Sequence, residues 1–262
     1  MVTQILASKP TRLFIFLGGF FIANALLAEF IGIKIFSLEK TFGFAPLSMT
    51  LFGVKDLGFN LTAGVLLWPV VFVMTDIINE YYGRKGVRFL SWMAVVLIIY
   101  AFLMAFLAIQ APPNDWWQSI SGVRDTAANS ITDMNLAFQR IFGQGLWIIV
   151  GSVVAFLIGQ VIDVAVFHKI KSITGEGKIW LRSTGSTVIS QFVDSFVVLL
   201  IAFWIGSDWD LVRVLAIGVV NYTYKFFMAL VLTPVIYGVH GAIERYLGHD
   251  LAAEMKTNAA AQ

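Results

Sequence analysis

The chain has 262 residues, of which 58% are hydrophobic and 13% charged; its net charge is +2 and it has no cysteine. Soluble domains hold about 45–50% apolar and about 25% charged residues, so this composition excludes a water-soluble fold and makes lipid the solvent. The missing cysteine excludes disulfides, thiolate metal sites and cysteine nucleophiles, and the small positive balance gives no reason to invoke nucleic acid.

Six apolar stretches are long enough to cross a hydrocarbon core of about 30 Å, which takes about 20 helical residues. They cover residues 13–35, 61–82, 87–110, 144–168, 183–205 and 211–238. Backbone groups in lipid must bond within their own segment, so each is predicted as a helix. The fold class is all-α: a polytopic membrane protein with six transmembrane helices. One transport-type membrane domain spans residues 1–240, and a tail follows at 241–262.

In the first stretch Asn24 and Glu29 are polar, and Glu29, near the outer end, reads as snorkelling to the interface. The apolar run passes Ala23-Asn24-Ala25 without a break, so the helix is expected to stay uncleaved. Residues 37–60 are expected to hold an interfacial hairpin or short helix. Pro69 predicts a kink in the second helix. That helix ends Thr75-Asp76-Ile77-Ile78-Asn79-Glu80, which puts Asp76, Asn79 and Glu80 on one face. Glu80 lies where it could pair with Arg84 and Lys85 at the headgroups; Asp76, a turn deeper, is a candidate site residue.

Pro112-Pro113 stops the third helix, Trp116 and Trp117 sit at interface level, and residues 127–142 predict a short helix on or in the membrane surface. The fourth and fifth helices repeat a motif, Gln160-Val-Ile-Asp163 and Gln191-Phe-Val-Asp194. The helices are antiparallel, and each glutamine lies nine residues from a basic boundary residue, about 13 Å deep at 1.5 Å per residue. The four side chains are therefore expected to line one site. Ser183, Ser186, Thr187, Ser190 and Gln191 continue a polar stripe, and Ser152, Ala155 and Gly159 offer a small-residue face for close packing. In the sixth helix Asn221 and Lys225 are a turn apart near mid-bilayer, and Lys225 needs a carboxylate, Asp194 first and Asp163 second. Ionisable groups at such depth mark a pathway or site by default.

Lys and Arg are denser on the side of Lys9, Arg12, Arg84, Lys85, Arg88, Lys169, Lys171, Lys178, Arg182, Arg245 and Lys256 than on the side of Lys34, Lys40, Lys55, Arg124, Arg140 and Arg213. Positive residues favour the cytoplasm, so both termini are expected there. Neither a Gly-x-Ser-x-Gly elbow nor a His-Glu-x-x-His pair occurs, and His168, His240 and His249 fall at or beyond helix ends. No enzyme is expected, and no metal or cofactor.

Several of these residues form an ordered set: Pro69 to Arg84, Gln160 to Asp163, Trp180 to Thr184, Ser190 to Ser195, Ile201 to Phe203, Tyr224-Lys225, Thr233-Pro234 and Tyr237. The set resembles the queuosine-precursor transporters, also described as a vitamin uptake transporter family. The resemblance implies import, across a bacterial inner membrane, of 7-cyano-7-deazaguanine or 7-aminomethyl-7-deazaguanine. It also implies a fold related to the substrate-binding subunits of energy-coupling-factor transporters, which gives the alternative reading, a membrane subunit of an ATP-driven complex. Such subunits often carry Ala-x-x-x-Ala on the first helix; the alanines at 23, 25 and 28 do not give that spacing, which counts against an ATPase partner. The expected partners are a small deazapurine and the bilayer, with room for a homo-oligomer. On the residues themselves, a carboxylate can accept two donors from a deazaguanine edge while an amide donates to its carbonyl, with Phe72, Phe192 and Tyr222 available to stack.

Overall fold

The computed structural model describes residues 8–118, 131–143, 145–175 and 178–261. Arg124, Gln144 and positions 127–130 of the expected loop helix lie outside them. The first helix, α1 (Lys9–Ile31), begins with a proline in its first turn, where the missing amide hydrogen is no loss. The chain then forms strand β1 (Ile35–Ser37), a one-turn helix α2 (Leu38–Thr41), a small hairpin of β2 (Met49–Leu51) and β3 (Val54–Leu57), and β4 (Asn60–Thr62). Strands β1 and β4 pair antiparallel, and Glu39 accepts from the Phe59 amide at 2.8 Å, so the ends of this excursion are tied together. The hairpin and short helix expected at 37–60 are both present, but Ile35 and Leu61, assigned to spans from hydropathy, are strand residues.

A 3-10 turn (Ala63–Leu66) leads into α3 (Trp68–Gln110). Pro69 sits in the first turn of α3, so it starts the helix instead of kinking it. At 43 residues α3 would run about 65 Å if straight, twice a bilayer. It is not straight: Gly83 has φ 68° and ψ −172°. Thr75 and Ser91, eight residues on either side, both donate to Gln160 Oε1, at 3.2 and 3.4 Å. In a continuous helix those hydroxyls would be about 24 Å apart, so the chain doubles back at Gly83 and α3 is two antiparallel spans. Five continuous stretches among the described residues are long and apolar enough to cross a membrane, and the reversal makes them six crossings. Such a backbone region is essentially restricted to glycine and strains other residues by about 1–3 kcal/mol. Gly83→Ala is accordingly expected to lower stability by about that much, measured as a fall in melting temperature in detergent. An unchanged melting temperature would mean that the turn is not held as described.

Beyond α4 (Asp115–Gln118) and α5 (Met134–Phe142), capped by Asp133, come α6 (Leu146–Thr174), α7 (Ile179–Leu199), a π-helical turn (Leu200–Ile205), α8 (Leu211–Leu247) and α9 (His249–Ala260). The α6–α7 pair is the tightest in the fold. A Cβ on Gly151 would lie 3.0 Å from the Val198 carbonyl oxygen and one on Gly159 3.7 Å from the Asp194 Cβ, while Ser190 bonds Asp163 at 3.1 Å. These contacts define one antiparallel register carried by Gly151, Ala155 and Gly159, small residues that let backbones approach.

Helix α8 runs through position 240 without interruption, and α9 folds back with Leu251, Ala252 and Met255 in the main apolar core. Lys9 lies over the Tyr246 ring, Lys256 over Tyr81, and Tyr82 donates to the Pro10 carbonyl. These contacts gather both ends of the described chain and the Gly83 turn on one face, called here the terminal face; the strands and α5 lie at the opposite, loop face. Because α6 and α8 extend further than hydropathy suggested, His168 and His240 are inside helices, bonded to Asn79 and Tyr81.

A cavity and a buried polar axis

Helix α7 carries polar residues along one side from Arg182 to Ser195, about 20 Å of rise. Three levels stand along it. Nearest the terminal face, Arg182 donates to Glu80 at 2.7 Å and to the Gly175 carbonyl at 3.0 Å, and Lys171 lies 3.3 Å from the same carboxylate. Arg182 and Glu80 are sealed from solvent. Glu80 thus pairs not with Arg84 and Lys85 but with cations from α6 and α7, because the helix buries its face against them. The ion group closes the bundle at this end.

At the middle level Asp76 accepts from Ser183, from Ser186 at 3.2 Å and from Thr187 at 3.2 Å. Asp163, opposite, accepts from Ser190, whose hydroxyl stands one turn along α7 from that of Ser186, so the two carboxyl groups face the same stretch of that helix. Gln160 sits beside them but faces the α3 hairpin, exchanging hydrogen bonds with Thr75 at 3.0 and 3.2 Å. Asn79 meets His168 at 2.9 Å, away from this cluster.

At the upper level a cavity of about 430 Å³ opens toward the loop face. Glu29, Ser152, Asp194, Ser195, Asn221 and Lys225 supply its polar lining, Arg140 its rim, and Trp68 and Phe203 its aromatic surface. Lys225 donates to Asp194, and Ser152 to Glu29. Glu29 is buried, held by this bond from α6 and not snorkelling. The volume falls within the roughly 300–1,000 Å³ usual for small-molecule sites.

The eight candidate residues are thus distributed. Asp194, Asn221 and Lys225 border the cavity; Asp76, Asp163 and Gln160 lie in the middle layer; Asn79 is lower still. Gln191 stands between the layers, in a small pocket with Lys225 and Thr187, and neither amide atom has a partner. The two Gln-x-x-Asp motifs point to different neighbours, Gln160 to Thr75 and Ser91 and Gln191 to the pocket beside Lys225. Phe72 is buried against Gly159, and Phe192 packs edge-on to Tyr222 on the outer side of α7, so Trp68 and Phe203, not these three, are the rings at the cavity. Sequence reasoning missed Ser152, Ser195 and Trp68 as site residues; Trp68 opens α3 and Ser152 lies within the first two turns of α6, where interface residues and site residues look alike.

The family model described as "Putative vitamin uptake transporter" matches residues 62–239. The chain is 29% identical over 203 residues to a "Probable queuosine precursor transporter" of Bacillus subtilis, covering 74% of this chain and 80% of that one. It is 26% identical over 198 residues to the protein of that name in Haemophilus influenzae, covering 74% of each. With the "Queuosine precursor transporter" of Escherichia coli it shares 26% identity over 187 residues, 71% of this chain and 75% of that one. No solved structure matches.

Proposed function

Since this chain belongs to the vitamin uptake transporter family, we propose that it imports a queuosine precursor, 7-cyano-7-deazaguanine or its 7-aminomethyl relative, through the cavity at the loop face. The carrying observation is the cavity's donor and acceptor set. A deazaguanine shows two donors beside a carbonyl acceptor on one edge. Asp194 or Glu29 can accept from both donors, Asn221 and Lys225 can donate to the carbonyl, and Trp68 can stack on the flat ring. Asp76, Asp163 and Gln160 stay outside the contact set in this reading, beneath the cavity floor. The alternative, an ATP-driven complex with this chain as its binding subunit, has no observation in its favour.

The test is uptake of both labelled deazapurines by liposomes containing the purified protein alone. Saturable uptake that unlabelled guanine analogues compete away is expected. Asn221→Ala should weaken binding about tenfold, the loss of one hydrogen bond of about 1.5 kcal/mol. No binding of either compound would reject the substrate.

In an outward-open state the cavity at the loop face would take solute from outside. The terminal face, with the denser Lys and Arg, is accordingly proposed as cytoplasmic, in a bacterial inner membrane. The chain has no cysteine, so Ser172→Cys and Thr50→Cys, both exposed, can be labelled singly in intact cells with an impermeant maleimide. Labelling at 50 and not at 172 is expected; the reverse would invert the orientation.

A further inference from the structure

The Asp76–Asp163 pair does not hold the solute in the reading above, yet its surroundings are specific. The side chains are 1% and 0% exposed. Their hydrogen-bond partners are hydroxyls of α7: Ser183, Ser186 and Thr187 on Asp76, and Ser190 on Asp163. Among the described residues no basic side chain meets either carboxyl group. The nearest cations are engaged elsewhere: Arg182 and Lys171 with Glu80 toward the terminal face, and Lys225 with Asp194 toward the cavity. On α6, His168 is engaged with Asn79.

A carboxylate offers only acceptors, and these two are held by hydroxyls one turn apart on α7, Ser186 and Ser190. Like charges this close in a low-dielectric interior do not both remain ionised. Asp163 Oδ2 is the oxygen left without a donor. An independent feature leads to the same place. Gln191, 2% exposed and with both amide atoms unpartnered, borders a pocket of about 10 Å³ shared with Thr187 and Lys225. That is about the room of one water molecule. Thr187 on its far side donates to Asp76, and Lys225 on its near side lines the cavity floor.

We propose that Asp76 and Asp163 form a proton-binding site, separate from the solute cavity, that couples import to the proton gradient; the coupling rests on the transport reading above. A proton from the cavity side passes the Gln191 pocket and forms an O–H bond on one carboxyl group, and it leaves toward the terminal face when the bundle opens there. With one shared proton the pair carries one negative charge, and with two it carries none. Each change alters what the four hydroxyls of α7 must donate to, and therefore how firmly α7 is tied to α3 and α6. Hydroxyl donors of α7 already occupy oxygens of both carboxyl groups, which favours a proton over a metal cation, since a cation would need those oxygens to surround it.

Three measurements on the purified full chain test this. Infrared spectra in detergent at neutral pH, with no solute added, should show a protonated-carboxyl band that is lost or shifted in Asp163→Asn and in Asp76→Asn. In liposomes, solute counterflow without a gradient and accumulation driven by an acid exterior are compared, with labelled 7-aminomethyl-7-deazaguanine as the probe. The wild type should accumulate solute; Asp163→Asn should still exchange it but no longer accumulate it. Melting curves identify a variant that fails to fold, in which case the other asparagine variant decides. Absence of the band, its persistence unchanged in both variants, or accumulation that follows a sodium gradient would overturn the proposal. A wild type that shows the band but exchanges no solute would reject the transport reading and leave the proton site standing.

Discussion

Lys225→Met is expected to destabilise the protein by about 3 kcal/mol and to abolish uptake. Removing one member of a buried ion pair strands the other, typically at about 3–5 kcal/mol. The Asp194 side chain is 15% exposed at the cavity, so water relieves part of the penalty and the lower end of the range applies. The check is a double-mutant cycle on unfolding in detergent with Asp194→Asn. The double variant should recover much of the lost stability, because no charge is then left alone, and should remain inactive, because both groups face the solute. Strictly additive losses would show that the two side chains do not interact.

A second large effect is expected at the opposite end of the bundle. Glu80→Gln removes the buried carboxylate that Arg182 and Lys171 share. Arg182 and Glu80 are both 0% exposed, so little solvent is at hand to screen the cations. A loss of about 3–5 kcal/mol is expected, seen as a lower unfolding midpoint. Glu80→Gln combined with Arg182→Met should be closer to the wild type than Glu80→Gln alone. If Glu80→Gln melts like the wild type, the ion group does not close this end.

The spans could be read from the sequence because hydropathy is a local property: six apolar stretches need no knowledge of neighbours. Their ends could not. Ile35 and Leu61 are as apolar as any span residue, and only the pairing of β1 with β4, Ile35 with Thr62 and Phe36 with Leu61, makes them strand residues. Pro69 illustrates the same limit: whether it kinks a helix or opens one depends on where the helix begins, and the apolar Leu61–Trp68 segment hides that point. For the site, the sequence showed which residues are polar at depth but not which way they face. Gln160 and Gln191 sit in matching motifs, yet one turns to Thr75 and Ser91 and the other to Lys225. Glu80 and Arg182 are 102 positions apart, and Arg182 looked like a topological marker because positive charge near a span end usually is one. The Lys225–Asp194 bridge was legible because one mid-bilayer ammonium had few carboxylates to choose from.

The reversal at Gly83 bears on how the chain enters the membrane during synthesis. Residues 68–82 bring Asp76, Asn79 and Glu80 into lipid, and insertion of an aspartate at a helix centre is disfavoured by about 2.5–3.5 kcal/mol. Their partners Ser183, His168 and Arg182 are 107, 89 and 102 residues downstream, still untranslated when this segment leaves the ribosome. A segment of 15 residues with three unmatched polar groups does not partition on its own. Joined through one glycine to the apolar stretch 84–110, it can leave the translocon as half of a helical hairpin, its polar face waiting against its sister helix. The glycine therefore sets the order of assembly: hairpin first, then α6 and α7, whose arrival satisfies the groups that the hairpin carried in.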